Sequence, residues 1–207
     1  MTNAATTTTT TNGGAGTQTP PSDETRALAD AALRRAMLRL IAIGGSAVLA
    51  SYLLALDPAI GSSLWGGIPE GRIRDLYTLN MFLAAAGFFP ATWLLVFATP
   101  ASALPERTGF GFPALFGVYA AILMASALWL PLTGLYVGNP STPVWLLVRL
   151  VLLVVGGAAT MLGVMLVRLA LRGPATAWLA VGAFFFFWLQ TMVLDALVWP
   201  HYYSLPG

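Results

Sequence analysis

The stretch Phe184–Tyr203 reads FFFFWLQTMVLDALVWPHYY. It is apolar over most of a membrane thickness, and it holds Asp195, the one acid that the sequence places within a hydrophobic segment. On insertion scales a carboxylate at the centre of a membrane helix costs about 2.5–3.5 kcal/mol. A chain that keeps one there has something that offsets the cost: a partner side chain, a proton or a ligand.

Composition sets the context of that segment. The chain has 207 residues, of which 57% are hydrophobic and 9% charged, against roughly 25% charged in soluble domains. The mean hydropathy of +0.77 agrees. All ten cations are Arg, so Schiff-base chemistry, which needs a lysine amine, is excluded. The absence of Cys excludes disulfides, thiolate metal sites and iron–sulfur clusters. His201 is the single His, so a bis-His haem or a His-rich metal site within one chain is excluded as well. Ten arginines spread over this length make no nucleic-acid footprint.

Upstream of the quoted stretch the chain divides by its breakers. Residues 1–22, MTNAATTTTTTNGGAGTQTPPS, are low-complexity Thr, Gly and Pro and are expected to form a disordered tail. Ser22, Asp23 and Glu24 look like a helix start, with acids in the first turn. That helix runs into an apolar stretch ending at Asp57-Pro58. Arg34-Arg35 before it resembles a twin-arginine export signal. The apolar run after it is too long for a signal core, which favours an uncleaved span. Together the segments give five expected spans, at about 37–56, 76–98, 112–136, 144–170 and 175–199, in one domain over 23–207. Each is long enough to cross a ~30 Å hydrocarbon core. Pro90 is expected to kink the second, and the Gly-rich loop with Trp65 after the first to lie on the membrane surface.

The arginines orient the bundle. With the N-terminus inside, the inner segments hold Arg26, Arg34, Arg35, Arg39, Arg107, Arg168 and Arg172, against Arg72, Arg74 and Arg149 outside. The positive-inside rule therefore predicts N-in and C-out. Trp65, Trp129, Trp145 and Trp199 then fall near the outer interface, with Trp93 and Trp178 nearer the inner one, as an aromatic belt would.

In that frame Asp195 lies in the outer part of the fifth span, and Arg149 enters the fourth span from the same side. Opposite charge and similar depth make Arg149 its expected partner. Asn80, Gln190, Thr133 and Tyr77 gather at the same level, and the six residues form the candidate binding set. Small residues share faces with them: Gly156, Thr160 and Gly163 with Arg149, Ala84, Gly87 and Ala91 with Asn80, and Ala47 with Ser51. Such stripes let helices approach closely, which points the polar groups into the bundle. Two readings stand side by side. Arg149 snorkels to the headgroups and Asp195 merely ties helices together, or the cluster holds a small molecule, a lipid headgroup or a proton.

Catalysis has no footing. No His lies within a span for a Ser–His pair, and the spans hold no paired carboxylates. The internal repeat common in carriers is missing. Leu128-Trp129-Leu130-Pro131 is loosely similar to the third helix of the tryptophan-rich sensory protein (translocator protein) family, which also has five helices and many Trp. The likeness covers four residues, and that family's Trp- and Pro-rich first-loop motif is replaced here by Pro58, Trp65 and Pro69. The expectation is an all-α, multi-pass membrane protein, in the inner or plasma membrane if the source is bacterial, acting as a structural or accessory component. The alternative is a binding or transport protein using the outer cluster. Expected partners are the bilayer, a lipid or small apolar ligand and a homo- or hetero-oligomer, with no cofactor, metal or nucleic acid.

Overall fold

A computed structural model describes residues 23–203, so the tail expected over 1–22 lies outside the described residues. Among the described residues the chain is all-helical, with five helices long and apolar enough to cross a membrane. They cover Asp23–Leu56, Arg72–Phe97, Phe112–Gly138, Thr142–Leu171 and Ala177–Tyr202. The α-helical parts are α1 (Asp23–Ser51), α2 (Pro58–Ser63), α3 (Arg72–Thr92), α4 (Leu104–Thr108), α5 (Phe112–Gly138), α6 (Thr142–Leu171) and α7 (Ala177–Trp188).

Two apolar clusters show an up-and-down path. One gathers Met37 from α1, Ala91 from α3, Leu115 and Tyr119 from α5, Leu162 and Met165 from α6 and Phe184 from α7. The other gathers Tyr77, Tyr136, Trp145, Val148 and Trp199 from the opposite ends of the same helices. Consecutive spans therefore run antiparallel. The first end also carries Arg34, Arg107, Arg168 and Arg172 and is called the arginine end; the second is the aromatic end. The spans pack in the order first, third, fourth, fifth, second. The first span meets the second at Trp93–Phe97, where Arg34 Nη2 donates to Phe97 O (3.2 Å).

Small residues make the crossings close, as their spacing predicted. Asn80, Ala84, Gly87 and Ala91 are all buried along one face of α3. A Cβ on Gly87 would stand 1.9 Å from the Ala183 carbonyl oxygen, so α3 and α7 touch backbone to backbone. Pro90 lies within α3, and three residues further on the winding widens to a π-turn at Trp93–Phe97, with Ala98 N–H donating to Trp93 O (3.0 Å).

The tryptophans divide more sharply than a belt. Trp93 (64% exposed) and Trp178 (46%) face outward, but Trp145 (3%) and Trp199 (4%) are core residues. The aromatic end is a packed plug, with ring centroids 5.8 Å apart for Trp145–Trp199, 5.1 Å for Tyr136–Trp145 and 4.3 Å for Trp199–Tyr203. The loop over 58–71 closes onto it rather than standing apart. Gly67 N–H donates to Tyr202 O (2.8 Å), Trp199 Nε1 donates to Leu64 O (2.8 Å), and the Tyr203 hydroxyl donates to Ser63 O. Gly66 has φ 54° and faces the Tyr203 ring, so both its backbone and its space call for glycine.

Candidate functional site

The fifth span changes winding partway. Beyond α7 the segment Leu189–Val198 is π-helical, and Trp199–Tyr202 is 3₁₀. At about 100° per residue, an α-helix would set positions five apart about 140° away from each other. The wider π-turn brings them together. Gln190 and Asp195 are such a pair, and Gln190 Nε2 donates to Asp195 Oδ1 (2.7 Å).

That bond ends a relay across the bundle. Asn80 Nδ2, on α3, donates to Gln190 Oε1 (2.9 Å) and lies 3.3 Å from Phe186 O. Asn80 and Gln190 are buried. One turn before Asn80, the buried Tyr77 donates its hydroxyl to Leu194 O (2.6 Å), the carbonyl just before Asp195. Tyr77 also meets Trp65 edge-on, with centroids 6.4 Å apart, which ties the site to the loop that caps the aromatic end. Asp195 itself is half-buried. Its second oxygen, Oδ2, has no hydrogen-bond partner among the described residues.

Four of the six sequence-predicted residues are thus brought together: Asp195, Gln190, Asn80 and Tyr77. Thr133 is fully buried, but its hydroxyl donates to Trp129 O (2.9 Å) on its own helix. Arg149 does not join the set. Among the described residues no ion pair within 4.0 Å links it to Asp195. The reason is register. A Cβ on Gly156 would meet Met192 Cα at 2.9 Å, which fixes where α6 and the fifth span face each other. Counted outward from that contact, Arg149 comes level with Trp199, and Asp195 stays about one helical turn deeper. The π winding adds to the mismatch, because it advances less per residue. Arg149 is half-buried at the aromatic end.

Sequence reasoning missed the carbonyl of Leu194, which accepts from Tyr77. No pattern in residue type marks a π-turn, and a backbone carbonyl carries no sequence signal at all. Among the described residues no group of three or more His, Cys, Asp or Glu is placed to hold a metal.

The geometry defines a class: an all-helical bundle with five helices of membrane-spanning length and a polar relay ending on the carboxylate of Asp195. Comparison with protein-family models, with curated proteins and with solved structures finds no match.

Proposed function

We propose that this is a non-enzymatic, multi-pass membrane protein with its N-terminus cytoplasmic, whose aromatic end binds a small molecule that presents a cationic or hydrogen-bond-donating group to Asp195. One observation carries the reading. Asp195 Oδ1 is held by Gln190, while Oδ2 has no protein partner among the described residues. A carboxylate so placed is an acceptor held in position, and its charge favours a cation.

A hydrophobic cation such as tetraphenylphosphonium tests this on the purified full chain. Saturable binding is expected for the wild type and for Arg149→Ala, and loss of binding for Asp195→Asn at unchanged thermal stability. Equal binding by Asp195→Asn would reject the site.

A structural role is the second reading, favoured by the relay itself, since Asn80, Gln190 and Asp195 tie the second span to the fifth. In that case the cation binds none of the three proteins saturably, and stability alone responds to breaking the relay.

A further inference from the structure

A second site lies at the arginine end, on the opposite half of the bundle from Asp195. Beyond the close contact of Gly156 with Met192, a groove of about 430 Å³ lies between α6 and α7. Its floor is set by Gly163, whose missing side chain would have met the Phe184 ring at 3.5 Å. Val164, Val181 and Phe185 form apolar walls. The deep end is closed by Trp188, whose Nε1 donates to the Thr160 hydroxyl (2.9 Å), and that hydroxyl in turn donates to Gly156 O (2.8 Å). The polar atoms at that end are therefore already satisfied, and the groove there offers nothing to a polar guest.

The open end is different. Arg168 lines it. Its guanidinium rests over the Phe110 ring (5.2 Å) and donates to Thr108 O (3.3 Å). Arg172, one turn on, donates to Glu106 O (2.8 Å) and Arg107 O (3.3 Å). Both guanidiniums are positioned by backbone carbonyls, and among the described residues neither has a carboxylate within 4.0 Å. Each keeps donors to spare out of the five that a guanidinium carries. Thr160 and Arg168 are about 12 Å apart along α6, close to the ~15 Å of hydrocarbon in one leaflet.

We propose that this groove holds one acyl chain of an anionic phospholipid, whose phosphate is bound by Arg168 and Arg172. An apolar slot about 12 Å long, with the Arg168 guanidinium at its mouth and Arg172 one turn further along α6, matches that ligand in length, polarity and charge. The proposal rests on the membrane-spanning reading of the helices and is independent of the Asp195 site.

The test uses the purified full chain in detergent, exposed to vesicles of either phosphatidylglycerol or phosphatidylcholine with the same acyl chains. Retained lipid is then counted by native mass spectrometry. One phosphatidylglycerol per chain is expected, preferred about tenfold over phosphatidylcholine, as two charge-assisted contacts would give. Arg168→Gln combined with Arg172→Gln should remove the preference. Gly163→Leu should fill the groove and reduce retention of both lipids, with Val164→Phe, at the exposed rim, as a second filling variant should the first not fold. Asp195→Asn should leave lipid retention unchanged, which separates this site from the one at the aromatic end. Equal retention of the two lipids, wild-type retention in the filled variants, or a dimer that carries no lipid would overturn the proposal. The dimer would instead identify the occupant as a second copy of the chain.

Discussion

At the scale of single residues, the charge that matters is the one without a charged partner. Asp195 is held by an amide, so replacing Arg149 removes nothing that it depends on. Arg149→Ala is therefore expected to shift stability by no more than about 0.5 kcal/mol, the range of an ordinary surface change, measured by thermal unfolding in detergent. Gln190 is the opposite case. It accepts from Asn80 and donates to Asp195, so Gln190→Leu strands a buried amide and a carboxylate together. A loss of about 1–3 kcal/mol is expected for groups left unpaired in this way. Asp195→Asn keeps an oxygen for Gln190 to donate to and should cost less than Gln190→Leu. A reversed order would mean that the charge of Asp195, rather than its hydrogen bond, holds the spans together.

At the scale of the helix, the winding decided what could be read in advance. The buried face of Asn80, Ala84, Gly87 and Ala91 was legible because α3 obeys the α-helical period on which the reading relied. The Gln190–Asp195 contact was not, because it needs the π-turn of Leu189–Val198, and periodicity assumes the common geometry. The expected Arg149 pairing failed for a related reason: charge and approximate depth are visible in a sequence, while register depends on which glycine meets which backbone. Trp145 and Trp199 were placed at the correct end but assigned to an interface, since hydropathy does not separate a buried indole from a lipid-facing one. Glycines test the crossings directly. Gly87→Ala drives a methyl into the Ala183 carbonyl and should cost about 3 kcal/mol or more, at the upper end of overpacking effects. Gly157→Ala meets nothing within 4 Å and should be neutral or stabilising by up to about 1 kcal/mol, through helix propensity. Equal melting shifts for the two variants would contradict the close approach of α3 and α7.

At the scale of the whole molecule, the five-span reading expects the two ends of the chain on opposite faces of the membrane. With no native Cys, single-Cys variants at Thr10 and Ser204 give a clean readout. An impermeant maleimide applied to intact cells should label Ser204→Cys and spare Thr10→Cys, and labelling of both would remove the five-span arrangement. The cap over the aromatic end carries a consequence for biosynthesis. Trp199 holds Leu64 across 135 residues of chain, and Tyr203 holds Ser63 across 140. At about 5–20 residues per second, the segment around Ser63 leaves the ribosome roughly seven to thirty seconds before its anchors exist. Until then the glycines at 66 and 67 have no surface to fold against. The first span and its loop thus wait in a provisional state, and the fifth span acts as the latch that completes them.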